Sequence, residues 1–192
     1  MTFIQHYDSP LGAILLAADD VGLTGLGFEG QKYFAATLPA EVQIKETPAL
    51  REGRRWLALY FAGKEPKTSP PLHLIGTPFR LSVWKILSEI PYGKTTTYGD
   101  IAQRLAQERG LSRLSARAVG SAVGRNPISL IIPCHRVIGR NGRLTGYAGG
   151  LHRKAYLLTM ERRHGDRETL DLETLDFRHL TSNVSSSLIP SH

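Results

Sequence analysis

The sequence predicts an α/β protein in two parts: a small N-terminal antiparallel sheet with a helix, then a mainly helical C-terminal part that carries a helix-turn-helix. Three observations lead there. Apolar runs at 3–7, 13–17 and 23–28 are separated by Ser9-Pro10-Leu11-Gly12 and Asp19-Asp20-Val21-Gly22, the turn chemistry of a meander. Two short helical stretches, opening near Tyr98 and Ser115, follow one another closely, and the second is rich in small residues with Arg117 in its first turn. That layout suggests a helix-turn-helix. Finally, Lys plus Arg number 7 against 8 Asp plus Glu over 1–75, 13 against 4 over 76–161, and 4 against 5 over 162–192, so a net +9 (13 minus 4) sits in the middle segment.

Taken in order, the meander should lead into a helix over 48–61 with Leu50, Leu57, Tyr60 and Phe61 on one face and Gly63 as its stop. The stretch from Glu65 to Pro71 reads as a linker, since its paired prolines favour extended backbone. Thr77-Pro78 opens the next helix with a hydroxyl cap and proline at the first helical position. Phe79, Val83, Ile86, Leu87 and Ile90 follow at helical spacing, and Pro91-Tyr92-Gly93 ends the run. Thr97 to Asp100 resembles a capping box for a short helix through Ile101, Ala102 and Leu105. A second short helix should run from Ser115 to about Gly124 and stop at Asn126-Pro127. The apolar run 128–132 is expected to be a buried strand delivering Cys134, and 139–150 a glycine-rich stretch turning at Asn141-Gly142. A last helix from Leu151 should carry Glu161 near its end; beyond it, 169–176 could form a short amphipathic helix, and 182–192 reads as a mobile tail. The expected division is 1–75 as sheet-and-helix scaffold, 76–163 as the functional part, and 164–192 as a partly mobile extension.

A composition of 41% apolar and 21% charged residues is that of an ordinary globular chain. No apolar stretch approaches the roughly 20 residues needed to cross a bilayer, and the N-terminus lacks a basic region followed by an apolar one. A cytoplasmic protein with no membrane partner is therefore expected. The single cysteine agrees with a reducing compartment. The basic middle segment suits a polyanion, because neutralising phosphates releases condensed counterions.

Cys134 lies inside Pro133-Cys134-His135-Arg136-Val137. A thiol beside basic groups has its thiolate favoured, and the thiolate is the nucleophile. The competing reading, a buried cysteine serving as a small hydrophobe, is weakened by His135 and Arg136. In an extended chain, adjacent side chains point to opposite faces, so a turn or an intervening water must link Cys134 to His135.

Arg117-Ala-Val-Gly120, Asn126-Pro127, Pro133-Cys-His-Arg-Val137, Tyr147-Ala-Gly-Gly150 and Glu161, in that order, resemble the O6-alkylguanine-DNA alkyltransferases over roughly 77–161. The resemblance implies direct, irreversible transfer of an alkyl group from guanine O6, with thymine O4 as a second candidate site, in duplex DNA to Cys134, once per molecule and without cofactor or metal. It implies catalytic roles for Cys134, His135 as base acting through a water, Glu161 as orienter of the imidazole, Tyr98 as donor to the purine N3, and Asn126 as brace of the turn around the thiol. DNA contact is implied for Arg117, which fills the gap left by the extruded base from the minor groove, for the small residues Ala118, Gly120 and Ser121, and for Arg125 and Arg136. Arg113, Arg140 and Arg143 are further phosphate candidates. Val137, Tyr147 and Ala148 would line the pocket for the extruded base, with Tyr147 as an aromatic wall. A monomer is expected.

Three departures stand out against that family. The segment 107–114 is about five residues longer than the compact turn expected there, and either touches DNA or bulges outward. Ala148 replaces a serine found in some relatives, and without a second cysteine the zinc site of other relatives cannot form here. Three rival readings remain: a non-catalytic damage-binding relative, a helix-turn-helix regulator, and a cysteine hydrolase. The first is opposed by the presence of Cys134, the second leaves Cys134, His135 and Glu161 without purpose, and the third leaves the basic segment and Arg117 unexplained.

Overall fold

The computed structural model describes residues 1–33 and 38–165, the last two by backbone alone. Strands β1 (Phe3–Ser9), β2 (Gly12–Ala18) and β3 (Leu23–Phe28) form the expected meander. A two-residue strand that the apolar pattern does not reveal, β4 (Gln43–Ile44), joins the outer edge of β1 in parallel, giving the order β3-β2-β1-β4. Ser9 fixes the first turn: its hydroxyl bonds the Gly12 carbonyl at 2.6 Å and accepts from the Leu11 amide.

Helix α1 (Pro48–Phe61) has the bounds its face and stop signals predict, with Thr47 as the cap. It lies close on the sheet, since a Cβ at Gly53 would come within 2.9 Å of the Leu16 side chain. The linker is not free: the Pro71 carbonyl accepts from Leu23 and the Leu23 carbonyl from His73, so its end runs beside β3. Helix α2 (Pro78–Ser88) starts on the Thr77 cap but stops at Ser88, ahead of the proline expected to end it. Buried Trp84 on α2 donates its indole N–H to the Ala122 carbonyl at 2.9 Å, which ties α2 to the second helix of the pair.

That pair consists of α3 (Tyr98–Glu108), with both capping-box bonds between Thr97 and Asp100 formed, and α4 (Ala116–Val123), capped by Ser115. A short parallel pairing of β5 (Thr96–Thr97) with β6 (Val137–Ile138) joins the start of α3 to the chain just past Cys134. Helix α5 (Leu151–Gly165) closes the described chain. The segments 169–176 and 182–192 lie outside the described residues. One core runs through both parts, joining Leu16, Phe28, Leu57 and Tyr60 to Val83, Ile101, Val119 and Cys134 without a break. Among the described residues no helix is long and apolar enough to cross a membrane.

The buried strand expected over 128–132 does not form. Only Ile128 pairs, in a single bridge to Leu26 of β3, and the chain then turns with Leu130 at φ 69°. The side chains of Ile128, Leu130 and Ile132 are as buried as a strand would make them, which is why the apolar run misleads.

Candidate active site at Cys134

The turn that presents Cys134 is held from within by Asn126. Its side-chain amide donates to the Ile132 carbonyl at 2.8 Å, and its oxygen accepts from the Ile128 amide at 3.0 Å. The N-terminal sheet holds it from outside, as Leu26 donates to the Pro127 carbonyl and accepts from the Ser129 amide. Cys134 then opens a single 3-10 turn, Cys134–Arg136, rather than extending a strand. The thiol is almost fully buried.

Glu161, about one turn from the described end of α5, reaches back into this turn and is fully buried. One carboxylate oxygen accepts from Tyr60 at 2.6 Å, from His135 Nε2 at 2.6 Å and from Arg136 Nη2 at 3.1 Å. The other accepts from Arg136 Nε at 2.8 Å and from the Gly93 amide at 3.1 Å. A carboxylate accepting this many bonds has no lone pair left for a proton. Burial alone would push the Glu161 carboxyl up, but His135 and Arg136 outweigh it and hold the group well below the ordinary carboxylate range.

Burial is also the largest influence on His135, and it draws the imidazole below its ordinary 6.5 despite the opposing pull of Glu161. With Nε2 against an ionised carboxylate, the proton of the neutral ring belongs on Nε2 and the lone pair on Nδ1. Nδ1 is buried with no hydrogen-bond partner among the described residues, so the ring keeps a free lone pair in the residue next to Cys134.

Two expectations need correction. Arg136, expected at the DNA face, is 7% exposed and commits its guanidinium inward, to Glu161 and to the Ile90 carbonyl at 2.6 Å, over the Tyr92 ring. The reason is Glu161, whose buried charge needs a buried partner. The thiolate is likewise not favoured by its sequence neighbours, because His135 is drawn towards its neutral form and the charge of Arg136 is neutralised. Burial pushes the Cys134 thiol up, opposed but not overcome by Asn126 and by the charge of Lys154.

Lys154 is the residue that sequence reasoning misses. It is fully buried, and its ammonium donates to the carbonyls of Val137 at 2.5 Å and Thr145 at 2.7 Å. Burial draws it down to about 8. Its signal was present, since a spacing of seven places it on the same face of α5 as Glu161. Tyr60 is missed as well, because its spacing marks it only as part of the core face of α1, whereas its hydroxyl bonds Glu161 and His135.

Tyr98, at the start of α3, donates to the carbonyls of Thr145 and Gly146 at 3.2 and 3.3 Å, sharing both with Lys154. Burial raises its hydroxyl above the ordinary value. Val137 is buried in β6; Tyr147 sets its ring edge-on to His135, with centroids 6.4 Å apart, and its buried hydroxyl faces Ser129 without making a hydrogen bond. A Cβ at Gly149 would fall 2.7 Å from the Tyr147 ring, so that ring position requires glycine. The Ala148 carbonyl accepts from the Lys32 amide at 3.1 Å. Arg117, Ala118 and Ser121 are exposed on α4, while Gly120 packs against the Tyr98 ring. Arg125 is exposed just past α4, over the Tyr33 ring at 4.8 Å, and Arg113, Arg140 and Arg143 are exposed as well. Among the described residues no group of three or more His, Cys, Asp and Glu could hold a metal ion.

A buried thiol beside a histidine-glutamate pair, set next to a helix-turn-helix, defines a protein of the nucleophilic-cysteine class joined to a nucleic-acid-binding motif. Two family models cover nearly all of the described chain: the ribonuclease-like domain of 6-O-methylguanine DNA methyltransferase over residues 3–74, and its DNA binding domain over 78–163. The chain belongs to the 6-O-methylguanine DNA methyltransferase family. It is 45% identical over 156 residues to a methylated-DNA--protein-cysteine methyltransferase of Methanosarcina acetivorans, covering 81% of this chain and 95% of that one. A protein of the same name from Mycolicibacterium paratuberculosis is 44% identical, covering 82% and 90%. The structure resembles that of Mycobacterium tuberculosis OGT in complex with DNA, with a TM-score of 0.73 and 41% identity over 84% of this chain and 94% of that one.

Proposed function

We propose that this protein repairs DNA by moving an alkyl group from guanine O6 to Cys134, irreversibly and once per molecule. The observation that carries the reading is the buried thiol on the Asn126-braced turn, next in sequence to an imidazole drawn towards its neutral form, whose Nδ1 has no hydrogen-bond partner among the described residues. The base must leave the stack to reach a thiol this deeply placed, at a cost of a few kcal/mol. Arg117 enters from the minor groove and fills the gap, while Ala118, Gly120 and Ser121 let α4 approach closely. Arg113, Arg125, Arg140 and Arg143 contact phosphates. Val137, Tyr147 and Ala148 form the pocket.

In the reaction the thiol proton passes through a water to His135, and Sγ attacks the alkyl carbon. The carbon–O6 bond breaks with its electrons going to the purine. Tyr98 donates towards purine N3 as that charge develops, and the purine takes up a proton to leave as guanine. His135 and Glu161 follow the base-and-orienter logic of activated nucleophiles. A raised thiol makes such a base necessary, since little thiolate forms unaided. Lys154, the cation that opposes burial at the thiol, stabilises Sγ as its proton leaves. The chain acts as a cytoplasmic monomer, with 1–75 as support, 76–163 as the DNA-binding and acceptor part, and 164–192 as an extension.

Incubation with duplex DNA carrying one O6-methylguanine, followed by intact and peptide mass spectrometry, tests the reading. One methyl per molecule on the Cys134 peptide, with guanine restored and no turnover, is expected. Cys134→Ser should bind the damaged duplex and take no methyl; any adduct on that variant would sink the assignment.

A further inference from the structure

We propose that Tyr60, on α1 of the N-terminal part, is a positioning residue of the nucleophile's base, sharing with His135 the single Glu161 oxygen that orients the imidazole. The inference rests on the alkyl-transfer reading for its rate measurement, and on geometry alone for the rest. The Tyr60 hydroxyl is 2.6 Å from Glu161 Oε1 and 3.2 Å from His135 Nε2, while that nitrogen is itself 2.6 Å from the same oxygen. The three atoms form a closed triangle, fully buried on every side.

A buried tyrosine next to a carboxylate keeps its proton, so Tyr60 acts as a neutral donor and its one hydrogen goes to Glu161. Its remaining lone pairs face the Nε2–H, which they help to hold. Two effects follow. Tyr60 fixes where Oε1 sits, and with it the plane of the imidazole that carries the unpartnered Nδ1. It also draws charge from the carboxylate, which tempers how strongly Glu161 stabilises a protonated His135. Other groups facing the triangle are Arg136 and Cys134 from the 3-10 turn, the Gly93 amide and Tyr92 from the segment after α2, Tyr147 from the pocket wall, and Lys154 from α5. Tyr60 is the member of this set supplied by the N-terminal part, where it is braced by stacking on Trp56, ring centroids 5.0 Å apart.

Tyr60→Phe keeps the ring and removes only the hydroxyl. Single-turnover transfer from free O6-benzylguanine, which needs no DNA, is measured against pH for the full chain. The variant should transfer several-fold more slowly, with the acid limb of its profile moved up by about one pH unit, the scale of one lost bond to a charged group. Leu57→Val, a buried apolar change on the same helix that removes no hydrogen bond, controls for loss of packing and should leave the limb in place. An unmoved limb in Tyr60→Phe, or an equal movement in Leu57→Val, overturns the proposal. If the wild type accepts no alkyl group, the functional reading fails, and imidazole 15N NMR still decides the role of Tyr60. The Nε2–H resonance of His135 should shift in Tyr60→Phe and not in Leu57→Val; an unshifted resonance overturns the proposal by that route.

Discussion

Glu161 shows how much of this site is decided by single residues. Replacing it with Gln keeps the shape but leaves Arg136 buried without an anion, a loss of about 3 to 5 kcal/mol for a broken buried pair. Urea unfolding at neutral pH should register it, and a loss below about 1 kcal/mol would contradict the buried pairing. The same residues set an acid dependence. The folded His135 lies below its ordinary 6.5 and the folded Glu161 below its ordinary 4.5, so each binds fewer protons folded than unfolded as pH falls. Both contributions are complete above about pH 6.5 and are lost on acidification, first as unfolded histidine protonates and then, below about 4.5, as unfolded glutamate does. Urea midpoints should therefore fall between pH 7 and 4, and in Glu161→Gln the later part of the fall should be missing. Legibility at this scale is uneven. Cys134, His135 and Glu161 are marked by a motif, whereas the inward turn of Arg136 depends on a carboxylate 25 residues away that no local pattern reveals.

At the scale of elements, helices are readable and the loop carrying Cys134 is not. Thr47, Thr77, Thr97 and Ser115 all cap helices through local bonds, so a few adjacent residues suffice to place each start. The run 128–132 has no such signal. A buried turn and a buried strand present the same uninterrupted apolar sequence, and the choice is made by Asn126 and by Leu26, the latter a hundred residues earlier. Asn126→Ala removes two bonds and leaves the Ile128 amide unpaired, at about 1 to 3 kcal/mol. Its transfer rate should drop more than its stability, because Cys134 is aimed by that turn; unchanged single-turnover kinetics would argue against the brace. Arg117→Ala, on exposed α4, should slow repair in duplex DNA and leave transfer from the free base untouched. Equal slowing on both substrates would place Arg117 in the chemistry instead of the extrusion step.

Across the whole molecule, charge and packing divide the work. Five exposed arginines, Arg113, Arg117, Arg125, Arg140 and Arg143, are free of acidic partners in the contacts described, while Arg136, Arg153 and Lys154 are bonded inward. If each of the five neutralises one phosphate, log K should fall against log salt with a slope of about −4 to −5; a flat response in a fluorescence anisotropy titration would remove DNA from the reading. The two-part layout is legible from composition, but the unbroken core is not, since periodicity within one segment says nothing about which other segment it meets. Arg153 carries a consequence of that union. Its guanidinium lies over the Phe28 ring and bonds the carbonyl of Leu11 in the first hairpin and that of Gly149 beside Tyr147. The backbone beside Tyr147 is thus moored to the opening hairpin, so a substitution that unsettles the turn at Leu11 should be felt at the Tyr147 ring, on the far side of the sequence.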